Sequence, residues 1–352
     1  MAPEKHNSIG RKKKRRRRRR KTSPLASVLL LFLCLVLLIG GGLFILSSHL
    51  LNRITRVDKN REEWLSADSV TLERDEDDDA GRDNTTDPNA IAWTSPEAPA
   101  NNPKIKNILL IGQDARPGEE RARSDSMIIC SVNQETKKIT LISLMRDMFV
   151  PYPGDYEATR INHSYVYGGM SLLDQIIEED FGIHIDGNVE VSFEGFVDVM
   201  DMIGPLEINL KDYEVGYMNR HTHAGFSAGP NLMNGEQLLV YARARHVGHA
   251  DWERTERQRT VLIKAYNKVK DRSIKELYAL AEAALPCLST DMNNTEIMRY
   301  IYTAFINRMT IGETYRLPVE GTYTSEIIYG MDVLVPDLRA NSILLHRYIY
   351  GE

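Results

Sequence analysis

The sequence predicts an α/β protein: a mixed central β-sheet sandwiched by α-helices, with an N-terminal transmembrane helix. Three observations predict it. Leu25–Ser48 runs for 24 residues without a charge, and about 20 apolar residues span a bilayer core as a helix. From Lys104 onward, short apolar runs alternate with longer amphipathic stretches, the pattern of strands and helices sharing one domain. Two of those runs, Ser126–Val132 and Ile139–Leu144, are joined by the polar turn Asn133–Lys138, so the sheet is not wholly parallel.

Charge divides the chain. Residues 1–21 hold twelve Lys or Arg and one Glu, a charge of +11. The whole chain carries -5, and residues 22–48 carry nothing, which leaves -16 for the remainder. Basic residues beside a span stay cytoplasmic, so Arg11–Lys21 places the N-terminus inside and the bulk of the protein outside. The run is longer than the apolar core of a signal peptide, and no small-x-small site precedes Ser47, so an uncleaved anchor is expected. Topology and attraction to anionic lipid account for the basic tract, and no nucleic acid is expected as a partner. The expected organisation is a cytoplasmic tail (1–24), a transmembrane helix (25–48), a disordered acidic tether (49–103) and one extracellular domain (104–352). The tether expectation rests on Glu73–Asp83, which holds seven acidic residues in eleven, and on the Asn- and Pro-rich stretch after it. Only Cys130 and Cys287 lie outside the span. A disulfide between them is open, two buried thiols are the simpler reading, and neither has metal-knuckle spacing.

Within the domain the elements follow in order. Lys104–Ile111 reads as a buried strand ahead of the hairpin. Ser171–Asp180 carries Leu172, Leu173, Ile176 and Ile177 on one side and ends at Gly182. Val189–Val191 is a short strand, Phe193–Met202 a helix stopped by Gly204-Pro205, and Leu206–Leu210 a strand. Gly235–Ala242 is a helix capped by Asn234, and Arg254–Lys270 a longer one. Helices near Ile274–Ala284 and Glu296–Asn307, strands near Tyr315–Leu317 and Met331–Val335, and a closing helix Leu338–Tyr348 complete the domain.

Tyr241–Arg259 holds five arginines in nineteen residues, on an otherwise acidic background. A guanidinium is always charged and presents a fork that fits phosphate oxygens in pairs. On the helix, positions 254, 257, 258, 261, 262, 265 and 269 share one stripe. Val261, Leu262, Ala265 and Val269 make that stripe apolar, so Arg254, Arg257 and Gln258 point inward, at a helix N-terminus that itself favours anions. Arg259 is expected in solvent. Arg243 and Arg245, if extended, project to one face. Asp251 either caps the helix or orients the arginines. His246 and His249 lack a third partner and are not expected to bind metal. Asp114 follows one strand and Asp125 opens the next. If those strands are neighbours, the two carboxylates meet, and oxygen ligands of that kind suit Mg²⁺ (or Mn²⁺). Arg146 sits beside Asp147 where Ile139–Leu144 ends.

The segments IGQDAR, RSDSM, LMRDM, RINHSYVYGG, NGEQLLVYARAR and DWERTERQR, in that order behind an anchor and a tether, resemble the LytR-CpsA-Psr family. The resemblance covers about Lys104–Lys270. It implies an extracellular transferase that moves a glycopolymer, such as teichoic acid or capsule polysaccharide, from a polyprenyl pyrophosphate carrier onto a sugar hydroxyl of peptidoglycan. A phosphodiester forms and polyprenyl phosphate leaves. The resemblance implies that Asp114 and Asp125 hold Mg²⁺, and that Arg146, Arg243, Arg245, Arg254 and Gln258 bind the pyrophosphate, with Arg257 in the same ERQ element. Asp251 and Asn162 support the site, and Asp125, Arg146 and Arg254 take part in the chemistry. Met145 and Met148 stand where the family often has Pro and Thr. The prenyl tail needs an apolar tunnel, expected between the sheet and helices around Leu172 and Phe196. The alternatives are a polyprenyl pyrophosphate hydrolase built on the same site, and a non-enzymatic membrane regulator or wall-binding module.

Overall fold

The computed structural model describes residues 50–70, 78, 82–96, 102–113, 121–245, 247–248, 251–301, 303–304 and 309–351. Arg11–Lys21 and Leu25–Ser48 lie outside these, and with them the expected topology. Among the described residues no helix is long and apolar enough to cross a membrane. A compact unit begins at Leu50.

In chain order the elements are β1 (Thr55–Arg56), β2 (Ile105–Gln113), β3 (Ser124–Asn133), β4 (Lys138–Leu144), β5 (Phe149–Val150), β6 (Thr159–Arg160), α1 (His163–Phe181), β7 (Gly187–Ser192), α2 (Phe193–Ile203), β8 (Leu206–Leu210) and α3 (Asp212–Thr222). They continue with β9 (Gly229–Met233), α4 (Gly235–Arg243), α5 (Asp251–Val269), α6 (Ile274–Ala284), β10 (Leu288–Thr290), α7 (Asn294–Ile301), β11 (Thr310–Leu317), β12 (Tyr323–Ile328), β13 (Met331–Pro336) and α8 (Leu338–Tyr350). Seven strands form the central sheet in the order β1-β10-β7-β2-β3-β4-β11. The sheet is mixed, as expected: β2 runs antiparallel to β3 and parallel to β7, and β4 runs parallel to β11.

Strand alternation supplies both faces of the sheet. Leu109, Ile111, Met127, Ile129, Ile142 and Leu144 point to one side and pack on α1 and α8. Ile128, Val132, Ile139 and Leu141 point to the other and meet Leu262 and Tyr266 of α5. A further core lies among α2, α3, α4, α5 and the β8–β9 hairpin. The elements that shape the site therefore sit on the α5 side, and Leu172, fully buried in the core opposite, cannot line a tunnel there. This corrects the expectation for that residue and leaves Phe196 on the expected side.

Several elements escape a reading by pattern. α3 buries only Glu214 and Met218, too few apolar positions to show a stripe. β9 opens on Gly229-Pro230, a turn signal. α1 begins eight residues before Ser171 because Gly169, at φ 63°, interrupts the helical backbone without ending the element. Asn234 caps α4 as expected, in a reciprocal pair with Gln237.

The tether expectation is corrected in its described parts. β1 pairs with β10, Leu51 and Ile54 are buried, and Lys59 bridges Asp174 (3.0 Å) and Asp291 (3.1 Å). Asp78, from the acidic stretch, grips Arg160 with both oxygens at 2.8 Å. Bulk composition misled because a few charged side chains here meet buried partners of opposite sign, and such pairs anchor a segment that has little apolar surface of its own.

Asp180 is buried in the last turn of α1, where the helix dipole opposes a negative charge, and burial pushes its carboxyl from 3.8 up to about 8. The folded state then binds more protons than the unfolded one between those values. Stability falls as pH rises through that window and levels off above it. Asp180→Asn is expected to flatten the slope between pH 4 and 8 and to raise stability at pH 8 by more than about 1 kcal/mol. Urea unfolding across pH checks this, and an unchanged slope would count against a buried proton.

Candidate functional site

The hydrogen-bond register sets the site. Gln113 at the end of β2 pairs with Ser124 at the start of β3. Asp125 therefore stands where these antiparallel neighbours terminate, next to the point at which Asp114 leaves β2. Asp114 itself, like His246 and His249, lies outside the described residues. β4 ends at the same edge, and its next turn presents Arg146. Across from these strand ends lie the C-terminus of α4 with Arg243, the loop residue Arg245, and the first turns of α5 with Asp251, Arg254 and Gln258.

Asp125 draws the cations together. One oxygen lies 3.2 Å from the Arg146 guanidinium, and the other 3.4 Å from that of Arg245. Arg254 pairs with Asp251 at 3.0 Å, so Asp251 orients an arginine from the opening residue of α5. Gln258 accepts a hydrogen bond from the Ser126 hydroxyl at 3.2 Å, which ties α5 to β3. Burial alone would raise the Asp125 carboxyl, but Arg146, Arg254 and Arg245 outweigh it and hold its pKa below the ordinary range. Arg254 is lowered first by burial and then by Arg146, because guanidiniums crowd the same enclosed space. Arg146 and Arg254 are 5% and 3% exposed, and with Arg245 they crowd around Asp125 and Asp251. Such a site favours a bound anion.

A second carboxylate pair frames the arginines. Asp147 is 3.4 Å from Arg146 and 3.7 Å from Arg160. Burial, and then the facing Asp251, push Asp147 up, whereas Arg254 and Arg146 hold Asp251 down despite its burial. Of the two, Asp147 is the carboxyl that takes up a proton more readily. Asn162, 1% exposed, caps no N–H of α1. Its carbonyl accepts from the Ser124 backbone, beside Asp125, and its carboxamide finds no hydrogen-bond partner among the described residues.

A cavity of about 1180 Å³ runs from this cluster between the sheet and α2, α4 and α5. Asp125, Arg146, Arg243, Arg245, Arg254 and Gln258 all line it, and Phe196, Val199, Val240, Val261 and Leu262 make the rest apolar. Arg243 is the last residue of α4 rather than part of an extended stretch, and its guanidinium lies 4.3 Å over the Phe193 ring. The expected extended pairing with Arg245 therefore fails, although both reach the cavity. Arg121 and Arg123 also line it and were not singled out by sequence. The signal was present: 121, 123 and 125 alternate, so in extended chain they share a face.

Two arginines behave differently from expectation. Arg257 does point inward, but away from the cavity. It bonds Glu214 at 2.7 Å, Glu253 at 2.8 Å and the carbonyls of Ala244 and Val247. Its hydrogen-bonding capacity is largely spent on joining α3, α5 and the loop between α4 and α5, so it is a structural brace and not a pyrophosphate ligand. Arg259, expected in solvent, is 7% exposed and donates to Ser143 Oγ at 2.6 Å. α5 is covered on two sides, by the sheet and by α3–α4, and a one-stripe reading misses the second. Truncating Arg257 leaves Glu214 buried without its cation, so Arg257→Met is expected to cost about 3–5 kcal/mol in urea unfolding. Adding Glu214→Gln should recover part of that loss. A loss below 1 kcal/mol would remove the bracing role.

Comparison with known proteins matches these features to a family. Polyisoprenyl-teichoic acid–peptidoglycan teichoic acid transferase TagU of Enterococcus faecalis is 30% identical over 228 residues, 63% of this chain and 72% of that protein. Biofilm regulatory protein A of Streptococcus mutans is 29% identical over 232 residues, 61% of this chain and 57% of that one. The fold resembles that of TagT bound to LI-WTA, with a TM-score of 0.57 at 22% identity, covering 80% of this chain and 99% of that one. The LytR_cpsA_psr family model matches residues 65–341, from the packed N-terminal segment through the start of the last helix, and the chain belongs to that family.

Proposed function

We propose that the protein is a membrane-anchored extracellular transferase. It moves a glycopolymer from a polyprenyl pyrophosphate carrier to a peptidoglycan sugar hydroxyl, with the uncharged run Leu25–Ser48 as anchor. The observation that carries this reading is a cation-rich cluster, with Arg146 and Arg254 buried, lining the same cavity as Phe196, Val199, Val240, Val261 and Leu262. A pyrophosphate bearing a prenyl chain has both chemistries in one molecule, and few other ligands do.

In this reading the tail lies along Phe196, Val199 and Val240, and the two phosphates lie among Arg146, Arg243, Arg245 and Arg254. Gln258 donates through its amide, since its carbonyl is held by Ser126. The acceptor hydroxyl attacks the phosphorus nearer the glycan. The new O–P bond forms as the bridging P–O bond breaks, polyprenyl phosphate leaves with the bridging oxygen, and the hydroxyl proton passes to that leaving phosphate or to solvent. Arg146 and Arg254 neutralise charge that grows on the transferring phosphoryl and on the leaving phosphate. They are buried and already oriented by Asp125 and Asp251, so little reorganisation is needed as charge develops. Asp125 stays ionised and is a weak base, which suits it to holding cations more than to removing the hydroxyl proton.

In this reading Mg²⁺ (or Mn²⁺) would be held by Asp125 and Asp114. Asp125 is an ionised oxygen donor at the strand end from which Asp114 departs, and hard cations take such ligands. Bound there with Asp125 and Asp114, the ion would add positive charge opposite the arginines.

The experiment supplies full-length protein with a lipid-linked glycan donor, with and without peptidoglycan strands. Glycan covalently joined to the strands is expected, together with polyprenyl phosphate. Polyprenyl phosphate released at the same rate without acceptor, and no joined product, would make the protein a hydrolase. Arg254→Ala is expected to slow transfer about 100-fold or more. Val240→Trp, which fills the apolar end, should weaken binding of long prenyl donors and spare short ones; equal loss of both would count against a tail in this cavity.

A further inference from the structure

The cavity has more cations than a pyrophosphate occupies, and one of them is set by the N-terminal segment. Along β3 and the chain entering it, the cavity lining changes from Ile128 and Ser126 to Asp125, then Arg123 and Arg121. Arg121 is four residues from Asp125, about 13 Å in extended chain. It lines the cavity together with Asp125 and is tied to the N-terminal segment. Its guanidinium is held from one side: NH1 donates to the Glu63 carbonyl at 3.2 Å, and NH2 lies 3.6 Å from the Glu62 carboxylate.

Glu62 is itself fixed, with its side chain 7% exposed. Its two oxygens accept from the backbone N–H groups of Met170 (3.3 Å) and Ser171 (2.8 Å), the first groups after the break in α1. The break admits it. Gly169 has φ 63°, and a Cβ there would lie 2.0 Å from a Glu62 oxygen. Lys59 locks the same segment to Asp174 and Asp291, Trp64 donates to the Ser171 hydroxyl at 2.8 Å, and Leu65 N–H bonds the Tyr167 carbonyl at 2.7 Å. Three side chains and one backbone N–H hold residues 59–65 onto α1, and the segment in turn holds the guanidinium of Arg121, which lines the cavity. A charge held this firmly on a cavity wall by Glu62, with Glu190 also near it, still has guanidinium N–H groups to offer a ligand.

We infer that Arg121, with Arg123 beside it, forms a second anion subsite that takes a phosphate or carboxylate borne by the donor's glycan, and that Glu62 is its positioning residue. The inference rests on the donor reading above and gives it selectivity: the arginine cluster takes any polyprenyl pyrophosphate, and the outer subsite favours acidic polymers over neutral ones.

The test measures affinity of full-length protein, in micelles, for four ligands: sugar-free polyprenyl diphosphate, and the same carrier bearing a neutral, a phosphate-bearing or a uronic acid disaccharide. The wild-type protein is expected to prefer at least one acidic disaccharide to the neutral one by about ten-fold or more, the scale of one charge-assisted hydrogen bond. Arg121→Gln should abolish that preference. Arg121 is partly exposed, so its replacement tests the subsite without loss of a buried group. Glu62→Gln should reduce the preference, and Glu62→Asp should restore part of it, which a purely structural role would not predict. No acidic preference in the wild type, or a preference that survives Arg121→Gln, overturns the inference. Failure of the donor reading shows separately: Arg254→Ala would then bind sugar-free polyprenyl diphosphate as tightly as the wild type.

Discussion

Much of this structure depends on holding several guanidiniums together out of water. Arg146 and Arg254 are almost wholly buried, Arg245 is close by, and Asp125 is the carboxylate they share. Like charges in a confined, poorly hydrated space repel, and the fold offsets this without cancelling it. Asp251 pairs with Arg254, while burial and Asp251 push Asp147 up and so weaken its hold as a counter-charge. A fully neutralised cluster would be more comfortable and would have less affinity for pyrophosphate. The remaining imbalance is what a bound anion relieves.

The surrounding architecture serves that constraint. Three strand ends present Asp125 and Arg146, and α4 and α5 present the other cations across from them. Arg257 and Arg259 do not face the ligand space. They fix α5 to α3 and to β4, and so fix the helix that carries Arg254 and Gln258. The N-terminal segment adds a third support through Lys59, Glu62 and Asp78, and the family match begins within this packed region, at residue 65.

Much of this was legible in the sequence, for physical reasons. Apolar runs located β2, β3 and β4, and the hairpin after Val132 made the sheet mixed. The stripe on α5 correctly turned Arg254 and Gln258 inward. The same stripe could not distinguish a ligand from a brace, because Arg257 has the same periodicity and differs only in meeting Glu214 from α3. That partner lies on a helix too polar to read by pattern. Arg259 failed for a related reason, since periodicity finds one buried side of a helix and α5 has two. Leu172 was assigned to the wrong side of the sheet because amphipathicity says that a helix packs, not against which face. The acidic segment was misjudged as free chain because composition averages over the few residues, such as Glu62 and Asp78, that find partners.

The central claim is that one cavity binds the phosphates at its arginine end and the prenyl chain at its apolar end. A crystal structure with polyprenyl diphosphate tests it most directly. The account predicts both phosphates within hydrogen-bond distance of Arg146, Arg245 and Arg254, with the chain running past Phe196 and Val240 between α2, α4 and the sheet. Diphosphate bound away from those arginines, or a prenyl chain lying outside the cavity on the protein surface, would contradict it.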